Sequence, residues 1–291
     1  MKSCPSHRRD TEALDATAIR EALAERGAAV AVEVLQTCTS TNSVLLERPA
    51  DAGAHREPLA LFAETQTAGR GRRGRRWHAA PGAGLTFSLR WRCAGGAARL
   101  AGLSLAVGVG AARALHALGA RAVELKWPND LLAVTGAGEG KLGGVLVETR
   151  GSSNGEVLVV VGLGLNLHTA EGLDERLGRR VAALDQLLDP LPPRNLLAAA
   201  LVAALARTLE DFARDGLRAF VADWQALHAH RGQRLRVRMA DGRVLSGTAD
   251  GIADDGGLLL RNRRGVHAVH SGSVVRARGA AARTPAARAA A

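Results

Sequence analysis

Residues 145–167 read VLVETRGSSNGEVLVVVGLGLNL, and this stretch decides the architecture. Two apolar runs, VLVET (145–149) and EVLVVVGLGLNL (156–167), flank Asn154-Gly155. That dipeptide suits a two-residue hairpin turn because both of its residues tolerate positive φ, so the two runs are expected to pair antiparallel. Toward the N-terminus, LTFSLRW (85–91) alternates Leu85, Phe87, Leu89 and Trp91 with Thr86, Ser88 and Arg90, the period of a strand with two unlike faces. Further strands are expected at 30–35, in LALFAE (59–64) and in AVELKW (122–127). Helices are expected over 11–26, 43–48, 195–214 and 217–229. Another is expected over 97–118, where Leu100, Leu103, Val107, Ala111, Ala114 and Leu118 share a face and Gly119 follows. The strands crowd together instead of alternating with helices. The class expected is therefore α+β with a mixed sheet and flanking helices, and not a Rossmann sheet.

From Arg231 the pattern shortens to RLRVRM, RVLSGTADGI, LLLRN and GVHAVHSGSVVRAR, separated by Asp/Gly turns. This reads as a small all-β module, a compact barrel. The expected division is a domain over 1–230, the barrel over 231–278, and a disordered Ala/Arg-rich tail over 279–291.

Composition narrows the function classes. The chain has 291 residues, 47% of them hydrophobic and 23% charged, enough apolar surface to exclude global disorder. The longest apolar run read from the sequence, Leu196–Ala206, falls short of the roughly 20 residues that span a bilayer. The N-terminus MKSCPSHRRD lacks an apolar signal core, so a cytoplasmic location without a membrane partner is expected. Cys4, Cys38 and Cys93 have neither disulfide nor zinc spacing. The net charge of +11 is uneven: five arginines fall within 70–76, and residues 231–278 carry a net +6. Of 39 basic residues only Lys2, Lys126 and Lys141 are lysine, which draws the eye to the two interior positions as sites for a compact ammonium.

The sharpest local signal is AGRGRRGRRW (68–77). Gly69, Gly71 and Gly74 permit positive φ and close approach, and Arg70, Arg72, Arg73, Arg75 and Arg76 offer forks for phosphate or carboxylate. Repulsion among them predicts a loop that orders when an anion neutralises it. A loop of this composition also suits nucleic-acid backbones, and that reading stays open on the loop alone. Four weaker segments accompany it: Ser40, Thr41 and Asn42; LKWPND (125–130); KLGG (141–144); and GLGLN (162–166), where Gly162 and Gly164 mark close backbone approach. No Walker-type phosphate loop is present. In chain order these segments can surround one small polar molecule and one polyphosphate.

Together, STN (40–42), QTAGRGRRGRRW (66–77), KWPND (126–130), KLGG (141–144) and GLGLN (162–166) resemble the biotin–protein ligase family. The resemblance runs from about Ser40 to the C-terminal module. It implies a class II synthetase-like, lipoate ligase-like catalytic domain followed by an SH3-like barrel. It further implies formation of biotinyl-5′-AMP from biotin and ATP with Mg²⁺. The biotin is then passed to a lysine of a biotin carboxyl carrier protein or other carboxylase domain.

Residue by residue, it implies biotin contacts from Ser40, Thr41, Asn42, Gln66, Arg70, Gly71, Arg72 and Lys141. Lys141, Arg70 and Arg72 are the implied catalytic groups. Arg72, Arg73, Trp77, Lys126, Asn129, Asp130 and Asn166 are implied on the nucleotide side, and no residue is assigned as a metal ligand. Only 39 residues precede Ser40, so a monofunctional type without a DNA-binding domain is expected, as monomer or homodimer. The alternatives are a lipoate or octanoate ligase, which has a similar fold but lacks the Arg/Gly loop, and a basic nucleic-acid-binding protein.

Overall fold

The computed structural model describes residues 12–48, 58–151, 156–169, 174, 178–239 and 241–276. Seven strands build the main sheet: β1 (Ala31–Cys38), β2 (Leu59–Gln66), β3 (Gly84–Ala94), β4 (Val123–Lys126), β5 (Asp130–Thr135), β6 (Gly138–Gly151) and β7 (Glu156–Asn166). Their order is β1-β2-β3-β7-β6-β5-β4. Only β1 and β2 run parallel, so the sheet is mixed as expected. The hairpin read from 145–167 is its centre: β6 and β7 pair from Gly151↔Val157 to Gly143↔Leu165. Its turn residues Asn154 and Gly155 lie outside the described residues, as do Cys4 and the tail beyond 276.

The helices are α1 (Ala16–Ala24), α2 (Thr41–Glu47), α3 (Leu103–Ala117), α4 (Arg194–Asp215) and α5 (Val221–Leu227). Asp15 starts α1 by accepting from the Thr17 and Ala18 amides, which satisfies donors the first turn would leave orphaned.

The helix expected over 97–118 is interrupted. A 3₁₀ turn, Ala97–Leu100, precedes Gly102, which is left-handed at φ 78°. A Cβ on Gly102 would lie 2.4 Å from Leu217 Cδ2, so only glycine fits there. Together, 97–117 is the one helical stretch among the described residues long and apolar enough to cross a membrane, by length and composition alone. It is longer than Leu196–Ala206, the apolar run picked out from the sequence, though Arg99 and Arg113 interrupt it. Here its α-helical part, Leu103–Ala117, is a core helix with ten of its fifteen residues buried. Gly110 lets it approach α4 so closely that a Cβ would sit 2.1 Å from Thr208 Oγ1.

The two faces of the sheet differ. One packs Phe62 against Phe87, with ring centroids 4.9 Å apart, under α1, α3 and α4. The other carries a smaller apolar cluster of Leu45, Leu59, Leu61 and Val160 beneath α2. The alternation in β3 therefore does not separate core from solvent. Thr86, Ser88 and Arg90 are buried too, on the α2 face, where polar side chains find partners.

Strand β5 was not foreseen. The KWPND segment turns, with the Trp127–Pro128 bond cis, and delivers a returning strand. Its pairing with β6 slips by one residue: Leu131 faces Gly143 while Leu132 faces Lys141, leaving Leu142 as the bulge. A bulge re-aims neighbouring side chains.

The C-terminal module comprises β8 (Arg234–Arg238), β9 (Val244–Ile252), β10 (Leu258–Asn262), β11 (Gly265–Val269) and β12 (Ser273–Arg276). All pairs are antiparallel in the order β11-β10-β9-β8-β12. No ladder joins β11 to β12 among the described residues. Leu235, Val237, Ile252, Leu258 and Leu260 belong to the same apolar cluster as the main domain. The module is seated by Trp127 Nε1–H donating to Gly256 O (3.0 Å) and by Gly256 pressed against Gly102.

Candidate active site

One cleft of about 350 Å³ opens on the α2 face of the main sheet. Its lining takes in Ser40, Thr41, Asn42, Gln66, Arg70, Gly71, Arg72, Arg73, Trp77, Lys126, Asn129, Asp130 and Lys141. All the expected site residues except Asn166 thus converge here from four separate segments.

At one end the groups are neutral hydrogen bonders. The Thr41 amide donates to Gln66 Oε1 (2.8 Å). The Ser88 hydroxyl donates to Asn42 Oδ1 (2.5 Å) and lies 2.6 Å from Thr41 Oγ1. Asn42 Nδ2 donates to Glu148 Oε2 (2.9 Å). Ser40 occupies the N-cap position of α2, yet its side chain makes no capping bond. The floor is β7: a Cβ on Gly162 would lie 2.4 Å from Asn42 Oδ1, and one on Gly164 2.4 Å from Trp77 Cε2. These glycines make room for two side chains of the site.

The arginine loop is a tight hairpin. Gly71 N–H donates to Arg75 O (2.7 Å) and Trp77 N–H to Gly69 O (3.0 Å), with Arg73 and Gly74 left-handed at the tip (φ 57° and 70°). Gly69 and Gly71 do not take positive φ, contrary to the sequence reading. They are needed for space, because a Cβ would approach Trp77 O to 2.7 Å and Arg75 O to 3.3 Å respectively. Each of the five guanidiniums finds an acceptor within the chain, two of them sharing one. Arg70 pairs with Glu148 (2.8 Å) and Arg72 reaches Asn129 Oδ1 (3.5 Å). Arg73 and Arg75 reach Ser273 Oγ (3.2 and 3.5 Å) and Arg76 reaches Thr67 O (3.2 Å).

The other end of the cleft is cationic. The Lys141 ammonium is largely buried and pairs with the Asp130 carboxylate. Burial pushes its pKa down, Asp130 opposes this, and Arg179 and Lys126 add to the lowering. The Arg72 pKa is also lowered, first by burial and then by Arg73, with Asp130 again opposing. Asn129 is held by Nδ2 donating to Val145 O (2.7 Å), which leaves its Oδ1 toward Arg72. Asn166 stands apart: its amide donates to Lys141 O (3.2 Å) and Ala182 O (3.0 Å), bracing residues 180–182 across β6. It borders a smaller recess with Trp77, His78 and Arg179.

Four contributors were not read from the sequence: Ser88, Glu148, Arg179 and the segment 272–274. Ser88 and Glu148 carried a faint signal as polar residues within apolar strands. Ser273 carried none, since it lies about 200 positions from the loop it touches.

Two family models match the chain: the biotin/lipoate A/B protein ligase family over residues 34–166 and the biotin protein ligase C terminal domain over 230–276. The biotin–[acetyl-CoA-carboxylase] ligase of Mycobacterium tuberculosis is 34% identical over 270 residues, 91% of this chain and 96% of that protein. The chain belongs to the biotin protein ligase family. A second relative, the bifunctional ligase/repressor BirA of Salmonella typhimurium, is 37% identical over 229 residues, 79% of this chain and 69% of that one. The solved biotin protein ligase of Aquifex aeolicus in complex with biotin and ATP superimposes with a TM-score of 0.68 at 25% identity. That match covers 84% of this chain and 99% of that one.

Proposed function

We propose that this biotin protein ligase joins biotin to AMP and then transfers the biotinyl group to a lysine of a carrier protein. The observation that carries the reading is the polarity of the cleft. One end offers neutral donors and acceptors on Thr41, Asn42 and Gln66, suited to an uncharged ureido ring. The other gathers Lys141, Lys126, Arg72 and Arg73, suited to a carboxylate beside a triphosphate. Trp77 packs on Gly164 in the cleft wall, and its buried Nε1–H has no acceptor among the described residues.

In the first step a biotin carboxylate oxygen bonds to the α-phosphorus of ATP and the bond to the β-phosphate bridge breaks, releasing pyrophosphate. Lys141 holds the carboxylate and phosphate together while Arg70 and Arg72 close over them. In the second step the neutral amine of the acceptor lysine attacks the activated carbonyl, an amide forms, and AMP leaves. No protein nucleophile is required, because positioning and charge stabilisation carry the reaction. Asp130 and Asn129 supply hard oxygen donors at the cationic end, a set that fits Mg²⁺ held chiefly by phosphates and water. When bound, the ion neutralises phosphate charge. A carrier domain of a biotin-dependent carboxylase in the cytoplasm is the acceptor this reading favours.

The test is ATP–pyrophosphate exchange by the purified protein. Exchange that requires biotin is expected, and in Lys141→Ala it should fall by about 10²–10³-fold with the fold intact. Exchange driven by lipoate or octanoate instead would replace biotin as the substrate. Oligonucleotide binding with a steep salt slope and no response to biotin would replace the enzyme reading altogether.

A further inference from the structure

The tip of the arginine loop crosses the cleft and ends on the C-terminal module. Arg73 Nη1 and Arg75 Nη2 both donate to Ser273 Oγ, at 3.2 and 3.5 Å, and Gly272, Ser273 and Val274 form part of the cleft wall. Ser273 opens β12, whose Ser273↔Arg238 pairing anchors it to β8. It cannot drift: a Cβ on the preceding Gly272 would lie 2.3 Å from Val237 Cγ1, so the backbone is clamped against β8. The module itself is fixed to the main domain through Trp127–Gly256 and the Gly102–Gly256 contact. The cationic hairpin therefore meets a clamped point on the C-terminal module.

We propose that Ser273 is a positioning residue that latches the arginine loop over the cleft, making the C-terminal module part of the adenylate-retaining enclosure. Three features carry this. Two of the five loop guanidiniums converge on one hydroxyl, although like charges repel. The tip residue Arg73 is held in the left-handed region at φ 57°, a conformation unfavourable for a non-glycine residue and sustained where contacts over-determine it. Finally, the contact lies on the part of the cleft wall that the C-terminal module supplies, Gly272, Ser273 and Val274. Mixed anhydrides hydrolyse in water, so a closed enclosure protects them. The retention role rests on the proposed ligase activity, whereas the latch itself does not.

The experiment uses the full chain and two variants of opposite sign. Ser273→Ala removes the acceptor, and Ser273→Asp offers the two guanidiniums a carboxylate in its place. The first readout needs no ligand: limited trypsin digestion, with cuts within 70–76 timed by mass spectrometry. The alanine variant should be cut there about 3–10-fold faster than the parent, and the aspartate variant more slowly, since charge-assisted bonds are the stronger ones. The second readout is release of biotinyl-AMP preformed on the enzyme, which should follow the same order. Equal cutting rates in all three proteins overturn the latch, as would faster cutting in the aspartate variant. Ordered cutting rates without biotin-dependent exchange uphold the latch and overturn the ligase reading alone.

Discussion

At the scale of single residues, Lys141 is the pivot. Its ammonium is charged inside a cleft because Asp130 offsets burial, and the balance still leaves its pKa lowered. In the unfolded chain the amine keeps its proton to higher pH than in the fold. Between the two pKa values the unfolded state binds the extra proton, so raising pH through that window favours the folded protein. The same shift withdraws the positive charge from the cleft before an ordinary lysine would lose it. The pH midpoint of Lys141 acylation, followed by mass spectrometry, is expected below the usual lysine range. In Asp130→Asn it should fall further, because the group that raised it is gone. A midpoint that rises or stays put in the variant contradicts this account. With three lysines in the chain the measurement is clean. The rarity of lysine drew the eye to Lys141, but its partner was not legible: Asp130 lies on the neighbouring strand, and the bulge at Leu142 sets which side chains meet.

Individual elements explain why two glycines of β7 sit where they do. Gly162 and Gly164 were legible as places of close approach, though what approaches was not. Asn42 fills the space over Gly162 and the Trp77 indole fills that over Gly164. Alanine at each should therefore have a different consequence. Gly162→Ala pushes Asn42 aside and should raise the KM for biotin by about 10-fold, on an overpacking cost of 1–3 kcal/mol. Gly164→Ala pushes the indole away and should raise the KM for ATP instead. Initial-rate kinetics with each substrate varied would separate them, and identical profiles would refute the division of the cleft.

Helix α4 supplies a second case. Arg194, the first residue of the helix, is buried and bonds to Glu64 Oε2 (2.6 Å), Gly84 O (3.0 Å) and Glu12 O (3.3 Å). Arg194→Ala strands the Glu64 carboxylate and should cost about 3–5 kcal/mol in urea unfolding. Nothing in the local pattern marked this arginine among 35 others.

For the whole molecule, the division into two units by sequence pattern conceals how far they are joined. The module's apolar residues continue the core of the main domain, and Trp127 reaches across to Gly256. Trp127→Phe keeps the ring but removes the donor. It should cost about 1 kcal/mol and raise hydrogen exchange together across β10 and β12. Unchanged exchange there would mean that the indole bond does not seat the module.

The sequence by itself determined the mixed sheet, the central hairpin, the change of pattern at Arg231 and the segments that build the cleft. These follow from periodicity, turn chemistry and composition, which act over a few neighbouring residues. Tertiary structure alone decided which polar groups pair. Ser88 with Asn42, Lys141 with Asp130, Glu148 with Arg70 and Ser273 with Arg73 are matched by strand order, by a one-residue slip in register and by the seating of one module on another. None of those leaves a trace in local sequence, because a hydrogen bond depends on distance in space and is indifferent to distance along the chain.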